Sequence, residues 1–123
     1  MPKVLLVEDD NLTRTVLGQF LRANGYEVEL AENGAQAISL FKEDKFDLVV
    51  SDVIMPNVNG WDLSDRINSI SPDTPILLMT AYAAVQVQSR QAQSRAMPEV
   101  ILKPLVLTDL LSKIQDILEQ KIS

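Results

Sequence analysis

Residues 46–60 read FDLVVSDVIMPNVNG. Leu48, Val49 and Val50 form an apolar, strand-like run that feeds a single carboxylate, Asp52. Shortly afterwards Pro56, Asn57, Asn59 and Gly60 force the chain out of regular structure. Proline cannot continue a strand ladder, and Asn and Gly accept the backbone angles of tight turns. Asp52 is therefore expected at the carboxyl end of a buried strand, facing a loop. In open α/β sheets that edge is where ligands bind. An Asp that merely starts a surface turn would look the same locally, so the weight falls on the rest of the chain.

Toward the amino terminus, Val4-Leu5-Leu6-Val7 is a short continuous apolar run, the pattern of a strand buried on both faces, and it ends in Glu8-Asp9-Asp10. Asn11 is expected to cap a helix that buries Leu12, Val16, Leu17, Phe20 and Leu21, and Asn24-Gly25 stops it. Tyr26 to Ala31 alternates apolar and charged residues, which suggests a strand nearer a sheet edge. Asn33-Gly34 turns into a second helix with Ala37, Ile38, Leu40 and Phe41 available for burial.

Toward the carboxyl terminus, a helix carrying Leu63, Ile67 and Ile70 runs to the break at Ser71-Pro72. Pro75 introduces Ile76-Leu77-Leu78-Met79, a buried strand that delivers Thr80 to its end. Ala83 to Arg95, rich in Ala, Gln and Ser, is the weakest expected helix. Val100-Ile101-Leu102 forms a fifth strand ending in Lys103-Pro104, and Leu107, Leu110, Leu111, Ile114, Ile117 and Leu118 mark the clearest amphipathic helix. Five strands alternating with five helices predict an α/β fold, a doubly wound parallel sheet with helices on both faces. With no linker or repeat, residues 1–123 are expected to form one domain.

Composition narrows the chemistry. Seventeen acidic residues against eleven basic ones give a net charge of −6, the opposite of a nucleic-acid-binding face, so no direct nucleic-acid contact is expected. With no cysteine and no histidine, disulfides, thiol nucleophiles, zinc–thiolate sites, His-based triads and a phosphohistidine in this chain are excluded. No segment approaches the ~20 apolar residues of a membrane span, and Met1-Pro2-Lys3 leads straight into a strand without a signal peptide. A cytoplasmic protein without membrane partners is expected.

The predicted sheet gathers Glu8, Asp9, Asp52, Thr80 and Lys103 on one edge. Three carboxylates brought together raise one another's pKa unless a cation joins them. Oxygen ligands without nitrogen or sulfur favour Mg²⁺. Asp9 and Asp52 would hold it, with Glu8 reaching it directly or through water. Lys103 adds a positive charge and Thr80 a hydroxyl donor, which together can stabilise the equatorial oxygens of a phosphoryl group passing to Asp52. A carboxylate is an established phosphoryl acceptor.

The sequence resembles the response-regulator receiver domains of bacterial two-component signalling over essentially its whole length. The acidic pair in LLVEDD, Asp52 in SDVIMPNVNG, Thr80 in LLMTA and Lys103-Pro104 in ILKPL carry the resemblance. It implies a flavodoxin-like sheet of strand order 2-1-3-4-5, with Asp52 as phosphorylation site. Glu8, Asp9, Asp52 and the backbone carbonyl of Ile54 would bind Mg²⁺, and Thr80 and Lys103 the phosphoryl oxygens. The Lys103-Pro104 bond is expected to be cis, as in the family. The phosphodonor would be a sensor histidine kinase or a histidine phosphotransfer protein, and the output an effector protein or fused domain. The chain's only enzymatic activity would be its own phosphorylation and dephosphorylation.

Three features depart from that family's pattern. Val100 stands where most receivers carry Tyr or Phe three residues before the lysine, so any switch is expected to work through the weak helix at Ala83–Arg95. Ile54 and Tyr82 carry no group suited to orienting attacking water, which implies slow self-dephosphorylation. Arg95 to Glu99 lacks the family's Gly-Ala turn. Asp10 is expected to support the start of the first helix through the helix dipole rather than bind metal. Trp61 is expected to pack, and Arg14 to be solvated. The alternative functions are a protein-binding pseudo-receiver that is not phosphorylated, and a small enzyme on the same fold. The second is disfavoured by the absence of a Ser/Thr/Gly-rich phosphate cradle and of a second acid two residues after Asp52.

Overall fold

A computed structural model describes residues 1–55, 58–81 and 98–122. Its five strands, β1 (Lys3–Val7), β2 (Glu27–Ala31), β3 (Leu48–Asp52), β4 (Ile76–Thr80) and β5 (Glu99–Leu102), are all parallel. They lie in the order β2-β1-β3-β4-β5, the expected flavodoxin-like arrangement. The described helices are α1 (Asn11–Ala23), α2 (Gly34–Glu43), α3 (Gly60–Ile70) and α4 (Leu107–Ile122). The helix expected at Ala83–Arg95 lies outside the described residues, as do Pro56, Asn57, Tyr82 and the loop residues up to Met97.

The interior strands are the continuous apolar runs. Every residue of β3 and β4 is buried, as are Val4 to Val7 of β1. The edge strand β2 keeps its two glutamates in water, as its alternation implies. Because side chains alternate across a strand, Val4, Leu6, Val50, Leu77 and Met79 face one side, where Leu17 and Leu21 of α1 and Leu110 and Ile114 of α4 cover them. Leu5, Val7, Val49 and Leu78 face the other, against Phe41 of α2 and Trp61, Leu63 and Ile67 of α3. Each fully buried Leu contributes roughly 1.5–3 kcal/mol. Helices thus cover both faces of the sheet, as expected, and Trp61 packs as expected, at 3% exposure. Among the described residues no helix is long and apolar enough to cross a membrane.

α1 departs from its expected description in three ways. Asp10, not Asn11, is the N-cap: its carboxylate accepts from the Thr13 N–H at 2.8 Å and from the Thr13 hydroxyl at 2.7 Å. Leu12 and Val16 are exposed, at 73% and 45%. At about 100° per residue, Arg14, Leu17, Gly18 and Leu21 share one side of the helix while Leu12 and Val16 lie on the opposite side. That side is the buried one because Gly18 lets the helix approach Leu30 of β2, which a Cβ at residue 18 would meet at 3.1 Å. Arg14 is consequently half-buried rather than solvated. Elsewhere, Gly25 ends α1 with φ 93°, and Asn33 and Asn59 cap α2 and α3. Ile70 is exposed at the end of α3.

Candidate functional site

Parallel strands bring their carboxyl ends to one edge, and there β1, β3, β4 and β5 end in chemistry. β3 ends at Asp52, which is buried, and β4 at Thr80, also buried. Lys103 directly follows β5, and its backbone N–H donates to the Thr80 carbonyl at 2.7 Å, which holds the lysine beside the end of β4. Its side chain crosses to Asp52, with Nζ 2.9 Å from Oδ2. The Lys103-Pro104 peptide bond is cis, as expected.

The acidic end of β1 completes the site. Glu8, Asp9 and Asp52 each offer a carboxylate oxygen, and these oxygens lie within 4.8 Å of one another. Asp9 is exposed, whereas Glu8 is only 2% exposed. The Glu8 Oε1 accepts from the Asp10 N–H at 3.1 Å, while the buried Oε2 has no hydrogen-bond partner among the described residues. Burial pushes the Glu8 carboxyl up to about 7; the Asp10 N–H opposes this, the Asp52 charge adds to it, and Lys103 opposes it again. A buried carboxylate oxygen without a donor, next to two more carboxylates, suits a hard cation bound through oxygen. The donor set therefore fits the Mg²⁺ that the sequence implies. Asp10 points its carboxylate instead into the first turn of α1, where the Thr13 hydroxyl and N–H hold its pKa below the usual carboxylate range.

The loop after β3 is shaped by a close backbone approach. The Gly60 N–H donates to the Val53 carbonyl at 2.7 Å, and a Cβ at residue 60 would lie 2.5 Å from the Asp52 carbonyl oxygen and 2.8 Å from the Val53 Cα. Only glycine lets the start of α3 lie this close to the backbone of Asp52 and Val53. Ile54 follows in this loop with its side chain exposed. Glu8, Asp9 and Asp52 are thus within reach of one another, Lys103 binds Asp52, and Thr80 stands at the end of the strand next to β3.

Two residues at this edge escaped the sequence reading. Gly60 was legible only as a turn residue, and Arg14 only as a surface cation. The guanidinium of Arg14 donates to the Glu8 carbonyl at 2.8 Å and to the Asn11 side-chain oxygen. Its spacing of three and seven residues from Leu17 and Leu21 was the available signal.

Comparison with known proteins agrees with this arrangement. The family described as response regulator receiver domain matches residues 4–115. The response regulator receiver protein CpdR of Brucella abortus is 36% identical over 118 residues, covering 96% of this chain and 98% of that protein. The response regulator MprA of Mycolicibacterium vanbaalenii is 35% identical over 96% of this chain, which spans about half (51%) of that longer relative. Among solved structures, the chemotaxis protein CheY4 of Vibrio cholerae superposes with a TM-score of 0.88 at 30% identity, covering 95% of this chain and 98% of that one. A CheY-like receiver domain protein of Methanospirillum hungatei superposes with a TM-score of 0.90 at 26% identity, covering 98% and 96%. With the family matched over most of its length and the fold shared throughout, the chain belongs to the response regulator receiver domains of two-component systems.

Proposed function

We propose that this receiver accepts a phosphoryl group on Asp52 from a histidine-phosphorylated protein and uses the product to switch a protein–protein interaction. The observation that carries the proposal is the convergence of three carboxylates within 4.8 Å of one another, with Lys103 bound to Asp52. Glu8, Asp9, Asp52 and the carbonyl of Ile54 would hold Mg²⁺. When bound, that ion supplies positive charge to offset the carboxylates and the incoming phosphoryl oxygens. A carboxylate oxygen of Asp52 attacks phosphorus in line with the donor imidazole. The new O–P bond forms as the P–N bond breaks, and its electron pair returns to the imidazole nitrogen. Lys103 already orients the Asp52 carboxylate, and its ammonium with the Thr80 hydroxyl would receive the phosphoryl oxygens.

On this reading the donor is a sensor histidine kinase or histidine phosphotransfer protein, the output an effector protein or fused domain, and the setting the cytoplasm. The chain turns over no substrate besides its own phosphoryl group. Ile54 beside the acceptor offers no acid, amide or base to orient water, which supports a long-lived phosphoryl group.

Intact mass after incubation with Mg²⁺ and acetyl phosphate tests the proposal. One phosphoryl group is expected on the native chain, none after Asp52→Asn and none in EDTA. A native chain that binds Mg²⁺ and gains no mass would instead be a protein-binding module that is not phosphorylated.

A further inference from the structure

The β1–α1 loop is pinned at several points around the peptide that joins Glu8 to Asp9. The Glu8 N–H donates to the Ala31 carbonyl of β2 at 3.1 Å, and the Glu8 Oε1 accepts from the Asp10 N–H at 3.1 Å. The Glu8 carbonyl oxygen, the group whose rotation would swing Asp9, accepts from Arg14 Nη1 at 2.8 Å. Nη2 of the same guanidinium donates to Asn11 Oδ1. Arg14 itself is anchored, since its N–H donates to the Asp10 carbonyl at 2.9 Å and its position on α1 lies on the side that buries Leu17 and Leu21. One planar group thus ties the acidic loop to the first turn of the helix that follows it.

We infer that Arg14 is a positioning residue: its fork clamps the Glu8–Asp9 peptide so that both side chains present oxygens toward Asp52. This rests on the cation-binding reading of the cluster. Charge and fork make opposite predictions. A fixed positive charge close to a cation site opposes cation binding, so loss of the charge alone would tighten Mg²⁺. A residue that served only the stability of α1 would lower the melting temperature and leave Mg²⁺ affinity unchanged. Loss of the clamp weakens Mg²⁺ binding despite the removed charge. Lysine keeps the charge and loses the fork, so it does not rescue.

Calorimetric titration with MgCl₂ of the native chain, Arg14→Ala and Arg14→Lys separates these cases. The Kd is expected to rise roughly tenfold in both variants, the scale of a lost partner behind a metal ligand. Amide exchange at Asp10 and Thr13 is expected to speed up, with Leu21 unchanged. Unaltered or tighter Mg²⁺ binding in a folded Arg14→Ala overturns the inference, and so does full rescue by lysine. Should Arg14→Ala fail to fold, Arg14→Lys carries the same measurement. If the native chain itself binds no Mg²⁺, the cation reading fails separately. Exchange at Asp10 then decides the clamp: faster in the variants sustains it, and unchanged overturns it.

Discussion

Glu8 is sealed from water at the carboxyl edge of the sheet, and a carboxyl so placed keeps its proton up to about pH 7. In the unfolded chain it would lose that proton near the ordinary value of 4.5. Between these two values the folded state holds the extra proton, so the stability of the metal-free chain falls as pH rises through the window. Below pH 4.5 neither state carries the charge, and above about 7 the folded state bears the full cost of a buried carboxylate. At ~1.4 kcal/mol per pKa unit the loss is up to about 3 kcal/mol. Urea unfolding in EDTA from pH 5 to 8 is expected to show this decline, and Glu8→Gln to flatten it. Saturating Mg²⁺ is expected to flatten it as well, because it gives the carboxylate a partner. A native profile as flat as that of Glu8→Gln would contradict the burial account.

At the scale of the element, α1 depends on how its first turn is satisfied. Asp10 supplies one carboxylate to both the N–H and the hydroxyl of Thr13. Asp10→Ala is expected to cost about 1 kcal/mol, and Asp10→Asn much less, because Asn caps nearly as well. Asn11→Ala is expected to cost less than Asp10→Ala, since Asn11 is the first helical residue rather than the cap. Equilibrium unfolding of the three variants checks the order, and a larger loss at Asn11 would reverse the assignment. That two neighbouring cap-forming residues, Asp10 and Asn11, stand at the start of α1 explains why that start could be placed from sequence only to within one residue. The caps of α2 and α3 had no such competitor: Asn33 and Asn59 each stand directly before a helix-starting glycine.

Across the whole molecule, stability follows the sheet's two faces rather than apolar content. Leu6 is wholly buried and is paired across the sheet with Leu30 on one side and Val50 on the other. Leu6→Ala is expected to cost about 2–5 kcal/mol, the range for a fully buried Leu whose surroundings cannot collapse. Leu12→Ser, at a position 73% exposed, is expected to change stability by no more than about 0.5 kcal/mol. Denaturant midpoints of the two variants test the contrast. Comparable losses would mean that Leu12 is covered.

By itself the sequence determined the alternation of strands and helices, and with it the residues delivered to the carboxyl edge of the sheet. Those signals are local: an apolar run, then a polar or charged residue and a turn, repeated along the chain. Glu8, Asp9, Asp52, Thr80 and Lys103 were therefore legible, each standing directly after, or one residue beyond, such a run. The tertiary structure alone decided that the buried side of α1 closes through Gly18 on Leu30 of β2 and leaves Leu12 and Val16 in water, because apolar spacing within α1 carries no record of that neighbour. It likewise decided that Glu8 is sealed from water and that residue 60 has no room for a side chain. The hydrogen bond from Arg14 to the Glu8 carbonyl belongs to the same class, although the place of Arg14 on the buried side was legible from its spacing to Leu17 and Leu21. Each of these follows from a packing approach between segments, and no period within one segment encodes it.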